Sequence, residues 1–425
     1  MIKVINCKNK NYLEKLRLFL EKRKYSESKN IKIVTRIIED VKKNKIKALL
    51  KYEKKFSQNK EIRLKNDKIN KSIKNLNPKV KKAIDYAYSR IHKFHSRQIK
   101  EMKNKITYID KFRNRIEYRC SPIESVGIYV PGNLPSTLLM NSIPAKLANV
   151  KNIILASPKI GGKLNPAVLY AAKKVGIKEV YSMGGAQAIA SLAYIQKVNK
   201  IIGPGNEFVA EAKKQLSGKI IGTETMYAGP SEICVLADKN TDINQVITSL
   251  VSQAEHDTES QCILVTKDTK IIKKVNKGIN KFLKSLPRKK IASNSLKKNG
   301  LIILVKNDSQ ILKVINEIAP EHLEINVKNY RKYDKKIFNA GSICNGKYTP
   351  MSVSDYTVGT NHVLPTSGSA KFSSGLNINE FIKKISVVTL SKLGVEKIGN
   401  PAITLSEYEQ LFGHSQSIKS RMRRS

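Results

Sequence analysis

Gln253 and His256, within Ser252-Gln253-Ala254-Glu255-His256-Asp257, set an amide and an imidazole three positions apart at the end of an apolar-periodic segment. Residues three apart on a helix share a face, so both side chains can point at one object. A divalent cation is one such object; an ordinary surface or capping pair has the same spacing. Two further polar clusters follow, Ala319-Pro320-Glu321-His322-Leu323-Glu324 and the run from Ser354-Asp355-Tyr356 to Asn361-His362-Val363. The chain holds 6 histidines. Beyond the N-terminal region, His256, His322 and His362 stand in these clusters, and His414 closes Glu409-Gln410-Leu411-Phe412-Gly413-His414. Imidazole beside carboxylate and amide suits metal ligation and proton transfer near neutrality. Taken alone, Glu321 and His322 also fit a helix-to-strand turn whose polar groups satisfy the backbone. His92 and His95 share a helix face without a carboxylate or cysteine, and read as part of that face.

Elements that would carry these residues can be read along the chain. Residues 1–120 read as helical, with three- and four-residue apolar spacing over Tyr12 to Phe19, Ile31 to Tyr52 and Val80 to Lys100. From Ser125 short apolar runs alternate with helical segments and Gly-rich turns. Val126 to Val130, Ile153 to Ala156, Glu179 to Tyr181 and Lys200 to Ile202 read as buried parallel strands. A second series runs through Ile233 to Ala237, Cys262 to Val265, Leu301 to Val305 and Leu323 to Val327. The expected fold is α/β: two doubly wound, incomplete Rossmann-like units over residues 121–230 and 231–375, with a helical extension at each end. The extension from 376 to 425 returns to helix and ends in the basic run Lys419 to Arg424. The junction of the units is the natural cleft.

Four turns place small residues where a ligand can approach backbone: Tyr129-Val130-Pro131-Gly132, Gly184-Gly185-Ala186-Gln187, Gly203-Pro204-Gly205-Asn206 and Ala228-Gly229-Pro230-Ser231-Glu232. None is Gly-x-Gly-x-x-Gly, so a nucleotide site here must be built differently.

Composition bounds the alternatives. A chain of 425 residues with 40% hydrophobic content can bury two or more cores. No run of eighteen apolar residues and no signal peptide is legible, so a cytoplasmic protein without membrane contact is expected. The 5 cysteines are scattered and never spaced Cys-x-x-Cys, which suits buried thiols. A net charge of +45 points on its face to nucleic acid. Residues 222–266, however, carry seven acids against Lys239, a local balance of 1 − 7 = −6, while the lysines accumulate where the chain reads as surface. A diffuse, screened excess with no specific nucleic-acid partner is expected.

The turn and cluster motifs together resemble histidinol dehydrogenases. Tyr-Val-Pro-Gly, Gly-Gly-Ala-Gln-Ala, Gly-Pro-Gly-Asn, Ala-Gly-Pro-Ser-Glu, Gln-Ala-Glu-His, Pro-Glu-His-Leu-Glu and Thr-Asn-His-Val-Leu-Pro-Thr occur in family order between Ser125 and His414. The resemblance implies an NAD-linked, zinc-dependent oxidation of L-histidinol through L-histidinal to L-histidine, the last steps of histidine biosynthesis. By the same resemblance, Gln253, His256, Asp355 and His414 hold one zinc ion per subunit, and Glu321 with His322 forms the catalytic pair. Tyr129, Gln187 and Asn206 fall on NAD-contacting positions. Ser231 and Glu409 fall on substrate contacts, joined by His322 and the four metal ligands. An intertwined homodimer is implied, in which the C-terminal segment completes the neighbouring subunit's site.

The residue types suit that chemistry. Two imidazoles, one carboxylate and one amide leave a net positive ion with open positions, as a substrate-orienting metal needs. Zinc has no redox chemistry, so the hydride acceptor must be the nicotinamide. Three departures from the family pattern stand out: the loop after Tyr129 is shorter by about three residues, Met351 stands where an acid is common, and Thr360 replaces a frequent proline. A metallohydrolase would leave the Gly-rich turns without a task, and a nucleic-acid-binding protein would account only for the charge.

Overall fold

The computed structural model describes residues 2–21, 30–102, 105–224 and 229–422. Ala228 of the fourth turn and Arg424 of the basic tail lie outside the described residues. Along the chain come β1 (Lys3–Asn6), α1 (Tyr12–Glu21), α2 (Ile31–Ser57), α3 (Asn66–Lys74), α4 (Pro78–Glu101), β2 (Lys105–Ile109) and β3 (Arg115–Pro122). The first α/β unit contains β4 (Ser125–Tyr129), α5 (Pro135–Leu147), β5 (Asn152–Ser157), α6 (Pro166–Val175), β6 (Glu179–Ser182), α7 (Gly185–Tyr194), β7 (Lys200–Ile202), α8 (Glu207–Leu216) and β8 (Gly222–Thr223). In the second are β9 (Glu232–Ala237), α9 (Ile243–Ala254), β10 (Gln261–Thr266), α10 (Thr269–Leu283), α11 (Lys289–Asn299), β11 (Gly300–Leu304), α12 (Asp308–Ile318), β12 (His322–Asn326), β13 (Ser342–Asn345) and α13 (Met351–Ser354). The chain closes with β14 (Ile382–Thr389), α14 (Lys392–Tyr408) and α15 (Phe412–Met422).

Near-continuous apolar runs make strands that are covered on both faces. Every residue of β9 and β10 is buried accordingly. The first sheet, in the order β6-β5-β4-β7-β8, is parallel throughout, as is the second, β1-β11-β10-β9-β12-β13. In the first sheet the chain steps outward from β4 to β6 and then crosses to β7 on the other side of β4. That reversal opens a crevice beyond the carboxyl ends of β4 and β7.

The helical reading of residues 1–120 is corrected in three places. β1 adds a parallel edge strand to the second sheet beside β11, and β2 with β3 forms a hairpin whose other edge pairs with β14. The hairpin alternates exposed apolar residues at every second position, Ile106, Tyr108 and, across the turn, Ile116 and Tyr118. That is strand periodicity, and its partner is 260 or more residues away in sequence, outside the reach of local pattern reading. The tail likewise passes through β14 before it turns helical. The N-terminal helices are also divided between cores: Leu16, Phe19 and Leu20 of α1 pack with Cys234 and Leu323, whereas Val34, Ile37 and Leu49 of α2 pack with Ile189 and Ile201.

The units are stitched together where the site lies. Thr137 Oγ1 of α5 sits 3.3 Å from His362 Nε2, and Asn361 Nδ2 donates to the Met140 carbonyl at 2.6 Å. The Arg90 guanidinium of α4 donates to the carbonyls of Thr357 and Val358. At the base, the Lys200 ammonium pairs with Glu380 at 2.6 Å. Among the described residues no helix is long and apolar enough to cross a membrane.

Candidate active site

Helix α9 delivers the first two donors. The Asp242 carboxylate caps its start by accepting from Asn244 N, and Val246, Leu250, Val251 and Ala254 bury its inner face. Gln253 is buried in the last turn. His256 lies two residues past the helix end, where its N–H still reaches the Gln253 carbonyl at 3.2 Å. The expected shared face therefore survives as a helical turn beyond α9. The His256 ring edge meets solvent, and the protein mass around it holds its pKa below the ordinary histidine value.

The expected catalytic pair, Glu321 and His322, comes from the connection between α12 and β12. Ala319 ends α12 with φ +47°, a left-handed cap, and Pro320 then turns the chain into the strand. Glu321 sits at the threshold of β12 and His322 is its first residue, so the two side chains are freed from strict alternation. His322 Nε2 lies 3.9 Å from Glu321 Oε1 and 3.6 Å from Asp355 Oδ1. Burial, then the neighbouring His362 and His256, push the His322 imidazole down to about 3. The resting ring is neutral and ready to accept a proton. Burial, with Glu232 and Asp355 nearby, raises the Glu321 carboxyl well above its usual range, against the Glu232 N–H donating to Oε2 at 2.7 Å.

Asp355 follows α13 and packs beside α9. Its carboxyl is pushed up to about 7 by burial and by the charge of Glu324. The His362 ring, the one histidine of the clusters to which no role was attached, bridges the Asp355 carbonyl at 2.7 Å on Nδ1 and Thr137 on Nε2. His362 thus ties the loop that carries Asp355 to α5 of the other unit.

Two oxygens decide what can bind here. Gln253 Oε1 and Asp355 Oδ1 are buried with no hydrogen-bond partner. Unpartnered buried oxygens of this kind cost about 1–3 kcal/mol each unless something meets them. A cation does so, and it also suits the C-terminal end of α9, where the helix carbonyls concentrate negative potential. Among the described residues no group of three or more His, Cys, Asp and Glu side chains could hold a metal by itself. The donors expected of this chain are an amide, a carboxylate and an imidazole. His414 and Glu409 are exposed on the C-terminal arm, where α15 packs against α14. Among the described residues neither makes a hydrogen bond or ion pair to Gln253, His256 or Asp355.

Residues expected to contact a nucleotide line the crevice of the first sheet. Tyr129 ends β4, and its phenol oxygen accepts from Gly185 N at 3.3 Å at the start of α7. Asn206 caps α8 beyond β7, accepting from Val209 N at 3.1 Å. Gln187 is buried, its amide donating to Glu53 Oε1 at 2.9 Å. Gly203, at φ +116°, passes so close to the Tyr129 carbonyl that no side chain fits between them. Three helix N-termini, those of α5, α7 and α8, therefore face the crevice, an arrangement that favours a pyrophosphate.

Ser231 lies half-buried at the entry to β9, its carbonyl accepting from Gln261 N. Gly229 N donates to Thr366 Oγ1, and Ser367 N to Glu232 Oε1, closing the floor between Ser231 and Glu321.

The model of the histidinol dehydrogenase family matches residues 20–422. The chain belongs to the histidinol dehydrogenase family. It is 53% identical over 431 residues to the histidinol dehydrogenase of Pelagibacter ubique, covering 100% of both chains. Against that of Acinetobacter baylyi it is 38% identical, covering 92% of this chain and 93% of the other. A crystal structure of histidinol dehydrogenase from Elizabethkingia anophelis superposes with a TM-score of 0.91 at 36% identity, covering 99% of this chain and 98% of that one. Family membership makes the protein an oxidoreductase of histidine biosynthesis and agrees with the α/β architecture expected from the sequence.

Sequence reasoning in the family frame missed several residues that hold the site in place: Thr137, Glu53, Glu232, Thr366 and Glu324. Glu232, Thr366 and Glu324 stood inside motifs quoted from the sequence without a role being attached to them; Thr137 and Glu53 had no signal there.

Proposed function

We propose that the protein oxidises L-histidinol through L-histidinal to L-histidine, using NAD and one zinc ion per subunit, as a cytoplasmic homodimer with shared sites. The observation that carries this reading is the pair of buried oxygens without hydrogen-bond partners, Gln253 Oε1 and Asp355 Oδ1, the second of them 3.6 Å from His322, which in turn stands 3.9 Å from Glu321. Gln253, His256 and Asp355, with His414 of the partner subunit, would hold the cation, whose chemistry is to anchor and orient an imidazole-bearing amino alcohol. Tyr129, Gln187 and Asn206 would hold NAD, which would supply the hydride acceptor.

The chain's own residues do the proton work. Neutral His322 accepts the hydroxyl proton as the carbinol hydride departs, giving the aldehyde. As water adds to the aldehyde carbon, Glu321 takes a proton from that water and His322 gives its proton to the aldehyde oxygen, which forms the hydrate and leaves His322 neutral again. Burial raises the Glu321 carboxyl above its usual range, which makes its ionised form the stronger base for taking that proton. His322 accepts the hydroxyl proton of the hydrated aldehyde in the second oxidation. Ser231 and the partner subunit's Glu409 are the expected contacts to the substrate's polar groups.

Support for the dimer comes from the C-terminal arm. Leu393, Leu405, Tyr408, Leu411 and Phe412 are exposed on α14, α15 and their connection, with Tyr408 at 87%. Apolar exposure of that extent marks a protein interface.

The deciding experiment follows NADH absorbance with histidinol before and after chelation. Expected are two NADH per histidinol, loss of turnover on chelation and recovery on adding zinc. Cleavage of esters or amides without NADH formation would replace this reading with a metallohydrolase.

A further inference from the structure

Strand β12 presents His322, Glu324 and Asn326 on one face, and α9 answers with residues four apart. Asn326 Nδ2 donates to Gln245 Oε1 at 3.1 Å, and Ser249 Oγ donates to Glu324 Oε2 at 2.6 Å. Carried one step further, the same spacing would set Gln253 opposite His322. Four helix residues rise about 6 Å and two strand residues about 6.6 Å, so the rows stay in register over this length. The other oxygen of Glu324 accepts the Met351 N–H at 2.7 Å, at the first residue of α13. Ser249 precedes Gln253 by one turn, and Met351 precedes Asp355 by one turn. Glu324 is 3% exposed and makes both bonds inside the protein.

We infer that Glu324 is a positioning residue: its single carboxyl ties α9 and α13 to β12 and so sets the spacing of Gln253, Asp355 and His322. This rests on the zinc reading above. The common acid at position 351 is absent here, and what the position contributes to the clamp is its backbone N–H, which a methionine supplies as well as any residue. Glu324 touches neither substrate nor cofactor; it acts through the elements that carry the donors.

The test compares wild type with Glu324→Ala, Glu324→Gln and Ser249→Ala, each full length. Zn2+ affinity is measured by competition with a chromophoric chelator, the Co2+ ligand-field spectrum reports donor geometry, and NADH binding reports the other unit. Supporting residues of metal ligands typically contribute about 10–100-fold in affinity. E324A should weaken Zn2+ binding by about that factor and alter the Co2+ spectrum, with NADH affinity unchanged. Glutamine can accept from Met351 N and donate to Ser249 Oγ, so E324Q should bind Zn2+ within about threefold of wild type. Equal loss in E324Q and E324A would overturn the inference in favour of a purely electrostatic role. Unchanged Zn2+ affinity in E324A would overturn it outright. Should E324A fail to fold, S249A, which removes one of the two bonds, carries the test: about three- to tenfold weaker Zn2+ binding is expected, and wild-type binding would count against the clamp. Wild type that binds no Zn2+ would instead sink the functional reading itself.

Discussion

At the residue scale, the site is a set of groups held away from their ordinary protonation. Burial keeps His322 neutral and Glu321 and Asp355 reluctant to ionise, so ionising these carboxyls calls for a positive partner. His322→Asn should cut turnover with histidinol by about 10²–10⁴-fold, the range for losing a general base, while zinc content by elemental analysis stays at one per subunit. Loss of metal in that variant would reassign His322 from base to ligand. Cation binding must displace a proton from Asp355, whose carboxyl stands at about 7. Zn2+ affinity should therefore fall as pH drops below about 7, and Asp355→Asn should flatten that dependence while weakening binding overall. A chelator competition repeated from pH 8 to pH 5.5 reads both effects.

At the element scale, the catalytic pair depends on how α12 is anchored, because its C-terminus leads through Ala319 and Pro320 into Glu321. Asp308, at the first turn of α12, accepts from Lys332, from Tyr333 at 2.7 Å and from Lys267 at 3.0 Å. The Lys332 bond first, then those from Tyr333 and Lys267, hold its carboxyl well below the usual carboxylate range. Its folded pKa is depressed, so the stabilisation is present above the unfolded value of about 3.9 and is lost as pH falls through and below it. Asp308→Asn should lower stability by about 1 kcal/mol at pH 7, with the gap to wild type closing between about pH 4 and pH 2. Thermal melts across that range check the sign, and a gap that widened on acidification would refute it. Strands β4 to β7 and β9 to β12 were legible in the sequence because each is a short apolar run between turns, the mark of a strand covered on two faces, whereas β1, β8 and β13, which stand at the edges of the two sheets, were not. The hairpin β2–β3 and its partner β14 were also not legible: their residues are mostly exposed, and β3 meets β14 from the other end of the chain.

At the scale of the whole molecule, the two sheets use opposite ends. The crevice of the first lies at the carboxyl ends of β4 and β7, where helix N-termini gather and favour phosphate. In the second, Ser231, His322 and the end of α9 lie at the amino ends of the strands, where a helix C-terminus favours a cation. An anionic cofactor and a metal can thus face each other across one cleft with each in a field of the right sign. The exposed arm that carries Glu409 and His414 gives a prediction of its own. Glu409 and His414 on one subunit should complete the site of another, so coexpressed His322→Asn and His414→Ala chains, each inactive alone, should recover about a quarter of wild-type sites in a random mixture of dimers. No recovery would mean that each subunit completes its own site.

Residue type and short spacing, read from the sequence, determined which groups could do the chemistry: Gln253 with His256, Glu321 with His322, and the glycine turns that admit a nucleotide. Those properties are local, since a helical turn or a strand end imposes them wherever the segment goes. Only the tertiary structure decided that Asp355 stands 3.6 Å from His322, that His362 joins the two units, and that Glu324 ties three elements together. Such meetings depend on sheet order and on the packing of distant segments, and burial in that packing is what moves the pKa values on which the chemistry depends.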